Sequence, residues 1–170
     1  MDVSSSTPDT EVDVQAHPTA KKLLTTCRKF FSEIDNLYAP PPLTRTMSND
    51  ISTPGKALEA KLNSEYGPGN PYYEDMCACI RQGLSEGWVA NIELDGPKYR
   101  RSKICLPSPE NRYFSITTVY MDSEEEYSGQ YHVHPYGEIN CVVQLDKKAE
   151  LKGMQGWQGA GWTSPGNCHN

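Results

Sequence analysis

The chain has 170 residues, enough for one domain with a helical extension and for a buried core. A net charge of -6 excludes a duplex-binding protein, which needs clustered Lys and Arg to displace counterions from phosphate. No run reaches the ~18 apolar residues that span a bilayer, and Met1-Asp2-Val3-Ser4-Ser5-Ser6 lacks the basic and apolar parts of a secretory leader, so the expected setting is the cytoplasm, with neither nucleic acid nor membrane as partner.

Residues 1 to 17 are Ser, Thr and Asp with scattered Val, and they are expected to form a disordered tail. Pro18 then opens a helix, with Leu23, Leu24, Cys27, Phe30, Phe31, Ile34 and Leu37 at helical spacing. Pro40-Pro41-Pro42 ends it, and residues 40 to 55 read as a Pro, Ser and Thr-rich linker. A short helix is expected from Pro54 to Ser64, and a clearer one from Pro71 to Ser85, with Met76, Cys77, Ile80 and Leu84 on one face. Gly87 stands where a left-handed C-terminal residue is wanted. Residues 18 to 87 thus form a helical N-terminal region.

From Trp88 the texture changes. Trp88 to Leu94 alternates with period two, Asp95-Gly96 is a hairpin signal, and Tyr99 to Leu106 returns as a second strand. Tyr113 to Met121 is rich in β-branched and aromatic residues. Gln130 to His134, Glu138 to Leu145 and Ala149 to Met154 supply further strands. The expected fold class is mainly β with N-terminal helices, residues 88 to 170 forming a sandwich or barrel. The six cysteines read as free thiols of a reducing compartment. Cys77 and Cys79 form a C-x-C pair, but helical positions two apart point about 200° away from each other, which makes a poor chelate.

The chemistry concentrates in the histidines. Of the four in the chain, three fall into a pattern with one glutamate. His132 and His134 are two apart on a predicted strand, so both rings face the same way. Pro135-Tyr136-Gly137 is a natural turn that returns Glu138 beside them, and Pro165-Gly166-Asn167-Cys168-His169 delivers one more imidazole. Three neutral imidazoles and a carboxylate suit one divalent metal ion, Fe, Mn, Ni or Zn, with positions left open for water or substrate. His-x-His on a strand also occurs by chance; the acid four residues on and the distal Pro-Gly-x-x-His add the weight.

HxHxxxE followed by PGxxH resembles the two cupin motifs, which implies a cupin-like jelly-roll barrel. A wider set resembles the 4-hydroxylaminobenzoate lyase family: Gly83-Leu84-Ser85-Glu86-Gly87-Trp88, the hairpin at Asp95-Gly96, Lys103 to Pro109, His132 to Ile139, and Gly161-Trp162 through His169. This resemblance covers about residues 55 to 170. It implies conversion of 4-hydroxylaminobenzoate to 3,4-dihydroxybenzoate and ammonia in nitroaromatic degradation. His132, His134, Glu138 and His169 would then be the metal ligands, and Glu138 and Tyr136 the catalytic candidates. Tyr131 is a candidate contact for the aromatic ring, and Arg101 and Lys103, which share a strand face, are candidates for the substrate carboxylate; a solvated strand face is the plainer reading of the two cations. Family members continue past the distal histidine, whereas this chain stops at Asn170, so the barrel is expected to lack its closing strands and to expose an edge. A homodimer is a candidate assembly. The competing functions are another small-aromatic cupin enzyme, a dioxygenase or isomerase, and a non-catalytic ligand-binding or inactive cupin.

Overall fold

In a computed structural model of the chain, which describes residues 11–34, 54–123, 132–133, 138–154, 156–164 and 168–169, three α-helices lie over the stretches expected to be helical, with Leu37 outside the described residues. They are α1 (Pro18–Ile34), α2 (Pro54–Tyr66) and α3 (Pro71–Glu86). Each begins on a proline, whose missing N–H costs nothing in a first turn. The start of α3 is also capped: the Asn70 side chain accepts from the Tyr72 N–H at 2.9 Å, and Glu74 reaches back to the Gly69 N–H at 2.8 Å. Its end is fixed by Gly87 at φ +87°, with the Gly87, Trp88 and Val89 N–H groups all donating to the Gly83 carbonyl.

Two compact units divide the residues, one made of Met1–Ser32 with Cys79–Glu125, the other of Glu33–Ala78 with Glu126–Asn170. In the first, Leu23, Cys27, Phe30 and Phe31 are buried, as are Trp88, Val89, Ile104 and Cys105, and Phe31 stacks on Phe114 with centroids 4.3 Å apart. Its sheet is antiparallel in the order β1 (Ile92–Asp95), β2 (Tyr99–Cys105), β3 (Ile116–Met121). The strand expected from Trp88 starts only at Ile92. Ala90 is left-handed at φ 47°, and the Ala90 and Asn91 N–H groups donate to the hydroxyls of Thr118 and Ser102 instead of to a ladder. Left-handed Arg112 and Tyr113 likewise delay the strand expected from Tyr113 until Ile116. Part of the expected tail is ordered: Glu11 bridges Lys103, Val12 donates to the Lys103 carbonyl at 2.8 Å, and Asp13 caps a 3-10 turn over Val14–Ala16.

The second unit holds β4 (His132–Val133), β5 (Asn140–Val142), β6 (Leu151–Gly153), β7 (Gly156–Gln158), β8 (Gly161–Thr163) and β9 (Cys168–His169). They pair antiparallel as β4 with β9, β5 with β8 and β6 with β7. Leu62 of α2, with Tyr73, Met76 and Cys77 of α3 and Trp162 of β8, is buried. Asn63 clips Trp162 at both backbone groups, accepting from its N–H and donating to its carbonyl at 2.8 Å each. The Trp162 indole N–H ends on the Tyr66 carbonyl, which closes α2 onto β8.

The expectation of a mainly β chain is corrected. The described residues are mixed α and β, with more residues in the three helices than in the strands, and the described strands close no barrel. The reason is local. The strand expected over 138 to 145 ends at Val142, after which the Gln144 amide closes a turn by donating to the Lys147 and Ala149 carbonyls. Cys27, Cys77, Cys79, Cys105 and Cys141 are free thiols. Burial, then the neighbouring Cys105 and Cys79, push the Cys27 thiol up to about 12. Among the described residues no helix is long and apolar enough to cross a membrane.

Candidate functional site

The two histidine-bearing segments lie side by side. β4 and β9 pair with His132 directly opposite His169 and Val133 opposite Cys168. Further along the same two segments, β5 and β8 pair Asn140 with Thr163, Cys141 with Trp162 and Val142 with Gly161. The proximal and distal motifs, 27 residues or more apart in the chain, thus form two successive antiparallel ladders, and Glu138 falls between them.

Glu138 is half-buried, and its backbone carbonyl accepts from the Ser164 hydroxyl at 2.8 Å. Ser164 is itself buried and donates its N–H to the Glu59 carboxyl, also at 2.8 Å. Asn140 reaches across to the Thr163 hydroxyl at 3.0 Å. At the far end of the β5–β8 ladder, the Tyr73 hydroxyl donates to the Val142 carbonyl at 2.6 Å and accepts from the Gly161 N–H at 3.0 Å. Burial, then Cys77 and Cys141 beside it, push the Tyr73 phenol up, so it stays protonated and keeps its donor.

Of the residues singled out in the sequence, His132 and His169 are brought together by strand register, and Glu138 is tied to the same ribbon. His134, Tyr136 and Tyr131 lie outside the described residues. Among the described residues no group of three or more His, Cys, Asp or Glu side chains is placed to hold a metal ion. Arg101 and Lys103 belong to the other compact unit. Both are half-buried on β2, in register with Val119 and Thr117 of β3. The sequence reading missed Glu59, Ser164 and Tyr73. A glutamate three positions before a leucine on a short helix, as with Glu59 and Leu62, is the only signal that Glu59 faces inward.

A family model described as PnbB: 4-hydroxylaminobenzoate lyase matches residues 42–170. A 4-hydroxylaminobenzoate lyase of Nocardioides sp. (strain LMS-CY) is 52% identical over 131 residues, covering 77% of this chain and 76% of the relative. A 4-hydroxylaminobenzoate lyase of Pseudomonas putida is 49% identical over 116 residues, 64% of this chain and 66% of the relative. No solved structure matches significantly. The segments carrying the histidines, the Glu138–Ser164 tie and the helix end at Gly87 all fall inside the matched range, and the chain belongs to the 4-hydroxylaminobenzoate lyase family, an enzyme family of the lyase class.

Proposed function

We propose that this chain converts 4-hydroxylaminobenzoate to 3,4-dihydroxybenzoate and ammonia at a cupin-like site where His132, His134, Glu138 and His169 hold one divalent metal ion. The observation that carries the reading is the β4–β9 register, His132 opposite His169, with Glu138 tied alongside through Ser164. Directly opposed residues of an antiparallel ladder share a face, with Cβ atoms about 4.5–5.5 Å apart, which suits two ligands of one ion. The donor chemistry agrees, since imidazoles with one carboxylate suit Fe, Mn, Ni or Zn. The relatives, named 4-hydroxylaminobenzoate lyases, supply the substrate.

The reaction breaks the N–O bond, places an oxygen ortho to nitrogen and hydrolyses the resulting imine. One water is consumed and one ammonia leaves; nitrogen gains two electrons from the ring, so no external oxidant is needed. When bound, the ion supplies Lewis acidity toward the hydroxylamino oxygen. Glu138 holds or moves a proton at its carboxyl, and Tyr131 and Tyr136, which flank the histidines in sequence, contact the aromatic ring.

The test is turnover of 4-hydroxylaminobenzoate without oxygen. Equal amounts of 3,4-dihydroxybenzoate and ammonia are expected. A strict requirement for O₂, or no product from metal-replete protein, rejects the reading.

A further inference from the structure

We propose that Glu59 is a positioning residue for this site, acting through Ser164 on the segments that carry Glu138 and His169; the inference rests on the site reading above. Glu59 lies on α2, far in sequence from either motif, and is fully buried. One of its carboxyl oxygens accepts two backbone N–H groups, from Ser164 at 2.8 Å and from Met154 at 3.0 Å. Gly153 is part of the same cradle. A Cβ there would stand 2.7 Å from both Glu59 oxygens, so the backbone approaches the carboxyl as only glycine permits.

Ser164 is the junction. It follows directly on β8 and is five residues before His169. Its N–H is fixed by Glu59 and its hydroxyl is spent on the Glu138 carbonyl, so a single residue, held from one side, holds the other. A hydrophobic residue would fill the site of Glu59 at less desolvation cost, and would leave the buried Ser164 N–H and the part-buried Met154 N–H without their acceptor. Groups that orient ligands without touching the metal typically change its affinity by about 10–100-fold when replaced. Glu59 fits that role: its carboxyl holds the Ser164 N–H, and the Ser164 hydroxyl holds the Glu138 carbonyl.

The experiment measures Zn(II) affinity by chelator competition, together with kcat, KM and the melting temperature, in the full chain. Glu59→Gln keeps a carbonyl oxygen that can accept both N–H groups but loses the charge that strengthens them. Ser164→Ala keeps the N–H to Glu59 and loses only the hydroxyl bond to Glu138. Each is expected to weaken Zn(II) binding about tenfold and to lower kcat with KM held within about twofold. The double variant is expected to be no worse than the weaker-binding single variant, because the two links act in series. Leu62→Ala, equally buried on the same helix, is the control: it lowers the melting temperature and leaves Zn(II) affinity and kcat as they are. If Glu59→Gln and Ser164→Ala bind Zn(II) like the wild type while His132→Ala has lost it, Glu59 is only structural and the inference is overturned. If His132→Ala also keeps Zn(II), the site reading itself has failed, and the inference falls with it.

Discussion

Replacing Gly83 by alanine sets helix propensity against packing, and the structure decides the winner. Alanine in a helix interior is favoured over glycine by about 1 kcal/mol. At Gly83, however, a Cβ would meet two atoms of the Trp88 indole at 2.4 Å and a Val89 methyl at 2.5 Å. The indole has nowhere to retreat. Trp88 is 1% exposed, and its Nε1 donates to Thr19, whose own hydroxyl is bonded to Glu86. Overpacking of a filled core typically costs about 1–3 kcal/mol, and this overlap, of roughly 1 Å on several atoms, belongs at the upper end. The net loss is then about 1–2 kcal/mol. For a chain of this size each kcal/mol lowers the melting temperature by roughly 2–4 °C, so Gly83→Ala is expected to melt about 2–8 °C below the wild type. Trp88→Phe removes the overlapping ring, and in that background the same alanine is expected to cost at least about 1 kcal/mol less. Thermal melts of the four proteins of this cycle decide it. A higher melting temperature for Gly83→Ala, or an equal cost in both backgrounds, refutes the reasoning.

Two further outcomes follow from the same structure. Tyr73→Phe strands the Val142 carbonyl and the Gly161 N–H, and urea unfolding is expected to show a loss of about 1–3 kcal/mol; a change below about 0.5 kcal/mol contradicts the bridging role. Cys27 is raised from 9.0 to about 12 in the folded chain, so the unfolded chain releases its thiol proton first. That stability is complete below about pH 9 and is lost as pH rises toward 12; Cys27→Ala should flatten part of the fall, and identical alkaline profiles rule this out.

What the sequence displayed, and what it hid, divides along local and non-local physics. The helices were legible because Leu23, Cys27 and Phe30 repeat at helical spacing and because Pro18, Pro54 and Pro71 mark each start. Gly87 announced the end of α3, and Asp95-Gly96 announced the hairpin, through backbone demands that few other residues meet. The strand ends were hidden, since Ala90 and Tyr113 carry no sign that tertiary contacts hold them left-handed. The short strands β7, β8 and β9, made of Gly156–Gln158, Gly161–Thr163 and Cys168–His169, are too brief for any period to show. For the site, the spacing of His132, Glu138 and His169 drew attention to both segments, and strand register placed them side by side. Glu59 and Ser164 were invisible because a buried glutamate with backbone partners reads in sequence like any exposed helical charge.

Metal content per chain, measured in the wild type and in His132→Ala, His169→Ala and the double variant, bears most directly on the proposed centre. The wild type, loaded with divalent metal and freed of excess, is expected to hold one equivalent, and each single variant to lose most of it, since every ligand contributes to the binding free energy. A double variant that still holds one full equivalent contradicts the assignment of these histidines to one ion.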